Sequence, residues 1–139
     1  MEKKDLLKDV IKHIDIKSYN STELVDAMRN MSFTSRDTAR AADILMMMCK
    51  EKECTNILTL AGSTSAAGCM QVYVDMVRNK MIDVVVATGA SIIDMDLFEA
   101  LGFKHYIGEK ENVIPDTTLR ELYIDRIYDT YIDEEELQA

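Results

Sequence analysis

An α/β fold, a parallel sheet with flanking helices, is predicted by three observations. The run Ile57-Leu-Thr-Leu-Ala61 is apolar and β-rich, and it ends in the small and hydroxylated residues Gly62-Ser-Thr-Ser-Ala-Ala-Gly68. A near copy of that grammar follows at Asp83-Val-Val-Val-Ala-Thr-Gly-Ala90. Between the two lies a stretch of helical periodicity. A strand–loop–helix unit written twice is a Rossmann-like arrangement, in which parallel strands place their carboxyl-end loops side by side, where open α/β sheets bind ligands. Backbone N–H groups and helix N-termini would then turn toward an anion.

The elements follow in order. Residues 3–13 read as a short helix with Leu6, Leu7, Val10 and Ile11 on one face. Asn20-Ser-Thr-Glu23 has capping-box spacing and opens a second helix through Leu24, Met28 and Met31. Thr34 is the expected cap of a third, over residues 35–49, with Arg36, Arg40 and Asp43 on a shared side. Met46, Met47 and Met48 read as adaptable core filler, a Met-rich binding face being the alternative. Residues 55–61 predict a strand buried on both faces, because only two Thr and one Asn interrupt its apolar character. A helix over 66–80 follows, with Met70, Val74 and Val77 inward, then a second buried strand over 83–87. The crossover between them is expected to be right-handed.

A further helix over 92–101 is stopped by Gly102. Beyond it come Phe103-Lys-His-Tyr-Ile-Gly108 and a polar loop with the only proline, Pro115. Thr117 and Thr118 lead into a short helix around 119–122, and residues 125–132 alternate as one strand. The final Asp133-Glu-Glu-Glu136 is an acidic first turn. The helix it announces is not expected to arrive, which suggests part of something longer. The organisation predicted is a single domain over 1–139, with N-terminal helices over 1–53 and a truncated nucleotide-binding α/β unit over 54–139.

Composition narrows the function. The chain has 139 residues, 47% of them hydrophobic, enough for one core. A net charge of −9 argues against a nucleic-acid partner, which needs a basic patch. Residues 109–139 carry ten acidic and three basic side chains, so the acidity is concentrated there. A solvated terminus and a partner-docking segment both fit that tail. Three cysteines without metal-ligand spacing, and two histidines, predict no zinc site and reduced thiols. No run approaches the roughly 18 apolar residues of a membrane span, and the start Met1-Glu-Lys-Lys-Asp5 lacks the apolar core of a signal peptide. A cytoplasmic protein without membrane or nucleic-acid partners is the expectation.

The first loop is not a Walker loop, since Cys69-Met70 stand where a Lys-Ser/Thr pair would hold phosphate and metal. Nor is it a G-x-G-x-x-G fingerprint. Ser63, Thr64 and Ser65 nonetheless supply hydroxyls suited to pyrophosphate or ribose, although a tight βα turn needs the same residues. Thr88 and Gly89 allow close backbone approach, with Ser91 nearby. Asp94 and Asp96 are candidate ribose-binding carboxylates, or merely acids favoured in a first helical turn. His105 reads as a packed residue more readily than as a general base. No Ser–His–Asp or Cys–His set can be placed and no lysine stands in an apolar pocket. The sequence describes a cradle without a nucleophile.

Six ordered segments carry a family resemblance. They are Ser32-Phe-Thr-Ser-Arg-Asp-Thr-Ala-Arg-Ala-Ala42, Leu58-Thr-Leu-Ala-Gly-Ser63, Asn79-Lys-Met-Ile-Asp-Val-Val-Val-Ala-Thr-Gly-Ala90, Phe98-Glu-Ala-Leu-Gly102, His105-Tyr-Ile-Gly108 and Arg126-Ile-Tyr-Asp-Thr-Tyr131. From about Ile14 onward the chain resembles the N-terminal portion of deoxyhypusine synthase and its bacterial and archaeal relatives. The resemblance implies an NAD-dependent transferase of hypusine biosynthesis. Such an enzyme dehydrogenates spermidine and passes an aminobutyl group, through an enzyme lysine imine, to a lysine of the hypusine-bearing translation factor; some relatives act on other amines.

By the same resemblance, Gly62, Ser63, Thr64, Ser65 and Ala66, with Thr88, Gly89 and Ala90, match NAD-contacting segments. Asp94 or Asp96 stands near an acidic residue that touches the cofactor ribose, offset by an insertion relative to the synthase. Gly62-Ser63 resembles the relatives more than the synthase proper, which has Ser-Asn there. Family members run to over twice this length, and their catalytic lysine and spermidine-binding acids lie in the C-terminal half. Three expectations follow: a split subunit completed by a separately encoded C-terminal half, a non-catalytic module pairing with a full-length relative in a homo- or hetero-oligomer, or a truncated fragment.

Overall fold

The computed structural model describes residues 1–108 and 113–139. Two compact units share the chain: residues 1–14, 60–71 and 87–139 form one, and residues 15–59 and 72–86 form the other.

The second unit holds α2 (Thr22–Met28) and α3 (Phe33–Lys50), which pack together after a 3₁₀ turn at Ile16–Ser18. Asn20 accepts from the Thr22 N–H at 3.1 Å, satisfying one donor at the start of α2. The cap of α3 is Ser32 rather than Thr34, because Ser32 holds extended backbone and Thr34 already lies within the helix, its carbonyl accepting from Thr38. The predicted Arg36–Arg40–Asp43 side resolves into separate partners: Arg36 donates to the Met31 carbonyl and Asp43 pairs with Arg29. Met46 and Met47 are exposed, not core filler. Three consecutive residues fan over most of a helix circumference and cannot all face inward.

Strands β1 (Ile57–Leu60) and β2 (Val84–Ala87) form a two-stranded parallel sheet, with α4 (Met70–Arg78) between them in sequence. Asn56 sets the register. Its carbonyl accepts from the Asp83 and Val84 N–H groups, its N–H donates to Asp83, and its side-chain amide donates to the Met81 carbonyl. The expectation of strands buried on both faces is corrected: Ile57 is 56% exposed, and Val84, Val85 and Val86 are exposed as well. Two four-residue strands cannot cover each other. Val77 of α4 is also exposed rather than inward, while Asp75 is the residue that helix buries, paired with Lys17 at 2.7 Å. Helix α4 starts at Met70 instead of Ala66, because Gly68 adopts φ +86° and breaks any earlier helical run.

The first unit opens with α1 (Lys3–Leu6), shorter than predicted. The β-branched Val10 forms an antiparallel bridge with Tyr106 instead of extending the helix, and Ile11 donates to the His105 carbonyl at 2.8 Å. After β2 the chain runs helically as α5 (Gly89–Ser91), a π-helical stretch Ile92–Leu97, and α6 (Phe98–Ala100), ended by Gly102 at φ +105°. An antiparallel sheet of order β3-β5-β4 follows, from β3 (His105–Ile107), β4 (Ile124–Ile127) and β5 (Thr130–Asp133). The Rossmann-like pattern is thus met by one parallel strand pair, and the remaining described strands belong to this second, antiparallel sheet.

The single strand expected over 125–132 is therefore a hairpin. Ile127 pairs with Thr130 around a two-residue tip in which Tyr128 takes φ +55°. Tyrosine is a poor announcer of left-handed backbone, so the turn was invisible in the sequence. Helix α7 (Asp116–Glu121) begins at once after Pro115. The polar loop predicted before Pro115 falls partly on residues 109–112, outside the described residues. The helix announced by the acidic run arrives as the single turn α8 (Glu134–Leu137): Asp133 accepts from the N–H groups of Glu135 and Glu136 and is itself held by Lys3 at 2.6 Å.

Two apolar clusters hold this unit together. Leu6, Leu119, Ile124 and Tyr131 form one; Ala66, Met95, Phe98 and Ile132 form the other. The second packs the first predicted loop against the helical run that carries Asp94 and Asp96. No helix among the described residues is long and apolar enough to cross a membrane.

Candidate functional site

All ten predicted site residues lie in the first unit, and the structure brings most of them together. The first loop is a compact turn: Ala67, Gly68 and Cys69 donate to the carbonyls of Ser63, Ser65 and Thr64. Gly62 enters it at φ +76°. At the second loop, Ser91 and Ile92 donate to the Thr88 carbonyl, while Thr88 N–H donates to Leu60 at 3.3 Å.

Two side chains join the loops. The buried Ser91 hydroxyl donates to the Gly62 carbonyl at 2.5 Å and lies 3.4 Å from Thr88 Oγ1. The buried Ser65 hydroxyl donates to a carboxylate oxygen of Asp96. Asp94 is exposed instead, as are Thr88, Gly89 and Ala90. The Thr64 hydroxyl is buried without a hydrogen-bond partner among the described residues. Such an orphan is uncommon in a finished core and calls for a partner from outside. A Cβ on Gly62 or Gly89 would meet nothing within 4 Å, so both glycines border open space.

Next to the loops lies a cluster that residue-by-residue reading missed. Glu99, with 6% of its side chain exposed, bonds one carboxylate oxygen to His13 Nε2 and the other to His105 Nδ1 at 2.5 Å. His13 Nδ1 accepts the Met70 N–H at 3.2 Å, which leaves its proton on Nε2, pointing at Glu99. His105 is fully buried, its Nε2 3.0 Å from Met95 Sδ and its ring edge-on to Phe98. Burial pushes the Glu99 carboxyl up, but the hydrogen bonds from His105 and His13 outweigh it and hold the group below the ordinary carboxylate range. The one available signal was Glu99 four residues after Met95, an acid on the buried side of a helix.

A depression of about 860 Å³ lies elsewhere in this unit, by α7 and β4. Arg126 binds Asp116 at 2.6 Å at its edge, and the loops do not reach it.

The fold and site define an α/β protein with two small-residue loops joined through Ser91 and Gly62. The deoxyhypusine synthase family model matches residues 23–139, and the chain belongs to the deoxyhypusine synthase family. It is 64% identical over 138 residues to a deoxyhypusine synthase-like protein of Caulobacter vibrioides, covering 99% of this chain and 37% of that protein. A protein of the same description from Coxiella burnetii is 57% identical over 98% of this chain and 38% of its own length. A probable deoxyhypusine synthase 2 of Methanosarcina acetivorans is 38% identical over 91% of this chain and 36% of its own. The chain therefore spans little more than a third of the length of these relatives.

Proposed function

We propose that this chain is the NAD-side portion of a deoxyhypusine synthase-like aminobutyltransferase, moving the aminobutyl group of spermidine to a protein lysine or another amine. It works only with the C-terminal portion that its relatives carry, within one polypeptide or as a separate chain. The observation that carries this reading is the pair of loops fastened to each other by Ser91 and Gly62, in a family member.

The residues fit a nucleotide. Open space at Gly62 and Gly89 leaves the backbone approachable, the buried Thr64 hydroxyl has no partner among the described residues, and Asp94 offers a carboxylate to sugar hydroxyls. The loop over residues 62–66 would form one side, through Ser63 and Thr64, and Thr88, Gly89 and Ala90 the other. NAD, when bound, supplies the hydride acceptor for amine dehydrogenation. The chain's own contribution is orientation, where small misplacements cost orders of magnitude in rate. The lysine and the amine-binding acids are assigned to the other portion, because among the described residues of this unit Lys4, Lys8, Lys12 and Lys104 are exposed and Lys3 is committed to Asp133 and Glu135.

A non-catalytic module docking on a full-length relative is the second reading, favoured by the exposed apolar strands β1 and β2. One experiment separates the two. NADH formation from spermidine is followed for this chain alone, for the matching C-terminal portion alone, and for the mixture. Activity only in the mixture supports the transferase. A mixture that assembles but stays inactive with every amine tried favours the module.

A further inference from the structure

The groups joining the two loops do not face the open space beside them. Ser65 and Ser91 are both fully buried, and each spends its hydroxyl on a partner across the loops: Ser65 on the Asp96 carboxylate, Ser91 on the Gly62 carbonyl. The first loop is thus tied at its entry and at its centre to the helical run after the second loop. The π-helical stretch Ile92–Leu97 sets which acid does the tying. Met95 and Phe98 are buried with Ala66 and Ile132, anchoring the inner face. Between those anchors Asp96 is half-buried and turned onto Ser65, while Asp94 stays exposed, with no hydrogen bond or ion pair to any described residue. A π-turn widens the helix by one residue per turn, and such turns recur at functional sites.

We propose that Ser65, Asp96 and Ser91 are positioning residues that hold the first loop in its ligand-ready shape, and that they do not touch the ligand. The assignment rests on the cofactor reading above and divides the two candidate carboxylates by role. An acid that binds a ribose diol must present free acceptors to both hydroxyls. Asp96 has one oxygen committed to a buried hydroxyl. Preorganisation is where its value lies: a loop fixed before the ligand arrives spares the ordering cost on binding.

The test begins on the chain as it stands, by amide hydrogen exchange at residues 62–68. Asp96→Ala, Ser65→Ala and Ser91→Ala should each speed exchange there roughly tenfold, the scale of one lost hydrogen bond. The amides of β3, β4 and β5 should not change. Asp96→Asn, which keeps an acceptor for Ser65, should restore slow exchange, and Asp94→Ala should leave the loop as it was. Unchanged exchange in Asp96→Ala, an equal rise throughout the sheet, or the same rise in Asp94→Ala overturns the assignment. Calorimetric titration of NAD into the chain assembled with its C-terminal portion adds the second arm. Asp96→Ala should weaken binding about tenfold and Asp96→Asn should recover it. Undiminished affinity in Asp96→Ala overturns the positioning role. If wild type binds no NAD while the exchange pattern holds, the cofactor reading fails and the loop-holding role stands.

Discussion

Replacing Glu99 with Gln should destabilise the protein far more than an exchange of near-identical shape would suggest. Glu99 accepts from His13 through one oxygen and from His105 through the other, with its side chain almost wholly buried. Glutamine keeps one oxygen and turns an NH₂ toward the remaining imidazole N–H. One hydrogen bond to a charged acceptor is lost, about 1.5–3 kcal/mol, and one buried donor is left facing another donor, about 1–3 kcal/mol more. The expected loss is about 3–5 kcal/mol at neutral pH, or roughly 10–15 °C in Tm for a chain of this size. Urea unfolding followed by circular dichroism measures it, and a double-mutant cycle with His105→Gln should return a coupling above about 1 kcal/mol.

The pH dependence supplies a second check on the same site. The folded Glu99 carboxyl titrates below the unfolded value of about 4.3. Its stabilisation is therefore complete above that value and disappears as pH falls through the lowered folded one. The gap between wild type and Glu99→Gln should be full at pH 7 and shrink steadily below about pH 4. A loss under about 0.5 kcal/mol, or a gap equal at pH 7 and pH 3, would refute the reasoning.

Three further outcomes are expected. Gly68→Ala should cost about 2 kcal/mol or more in urea unfolding, because φ is +86° and the new Cβ would sit 3.0 Å from the Lys12 carbonyl. Val85→Lys should lower self-association in light scattering, since exposed Ile57, Val84, Val85 and Val86 present an apolar strand pair with open edges; a wild type that stays monomeric at high concentration would count against this. Gly89→Leu should fold normally, its Cβ meeting nothing within 4 Å, yet lose NAD affinity in the assembled protein by filling the space beside the second loop. Submicromolar NAD affinity in the chain alone would contradict the need for the other portion.

The parallel strand pair and the loops that end it were legible because their signal is local: apolar β-branched runs stopped by small residues. The short helix over 22–28 was legible for the same reason, through Asn20. The one over 116–121 was legible only around 119–122, from Thr117 and Thr118, its start after Pro115 being missed. What escaped depended on distant partners. Val10 and Ile11 have the spacing of a helix face, but Tyr106 and His105 claim them for a sheet edge. Tyr128 gives no hint of a turn, yet the Thr130–Ile127 pairing forces one. At the site, Asp94 and Asp96 look alike in sequence, and only the π-turn tells them apart. Glu99 had no reason to stand out until His13 and His105, 86 and 6 residues away, came to meet it.

The segment before residue 15 bears on where the functional boundary of this domain falls. The family model begins at residue 23. Yet His13 bonds to Glu99 and receives the first N–H of α4, Ile14 donates to the Gly68 carbonyl, residues 9–11 line β3, and Lys3 holds Asp133 and Glu135. A chain trimmed to the matched residues would keep every loop residue that a ligand could touch and lose the strap behind them. Its Glu99 would face a vacated imidazole position and its β3 strand would gain a bare edge. A tag or fusion partner that replaced residues 1–14 would therefore stand against the floor of the candidate site.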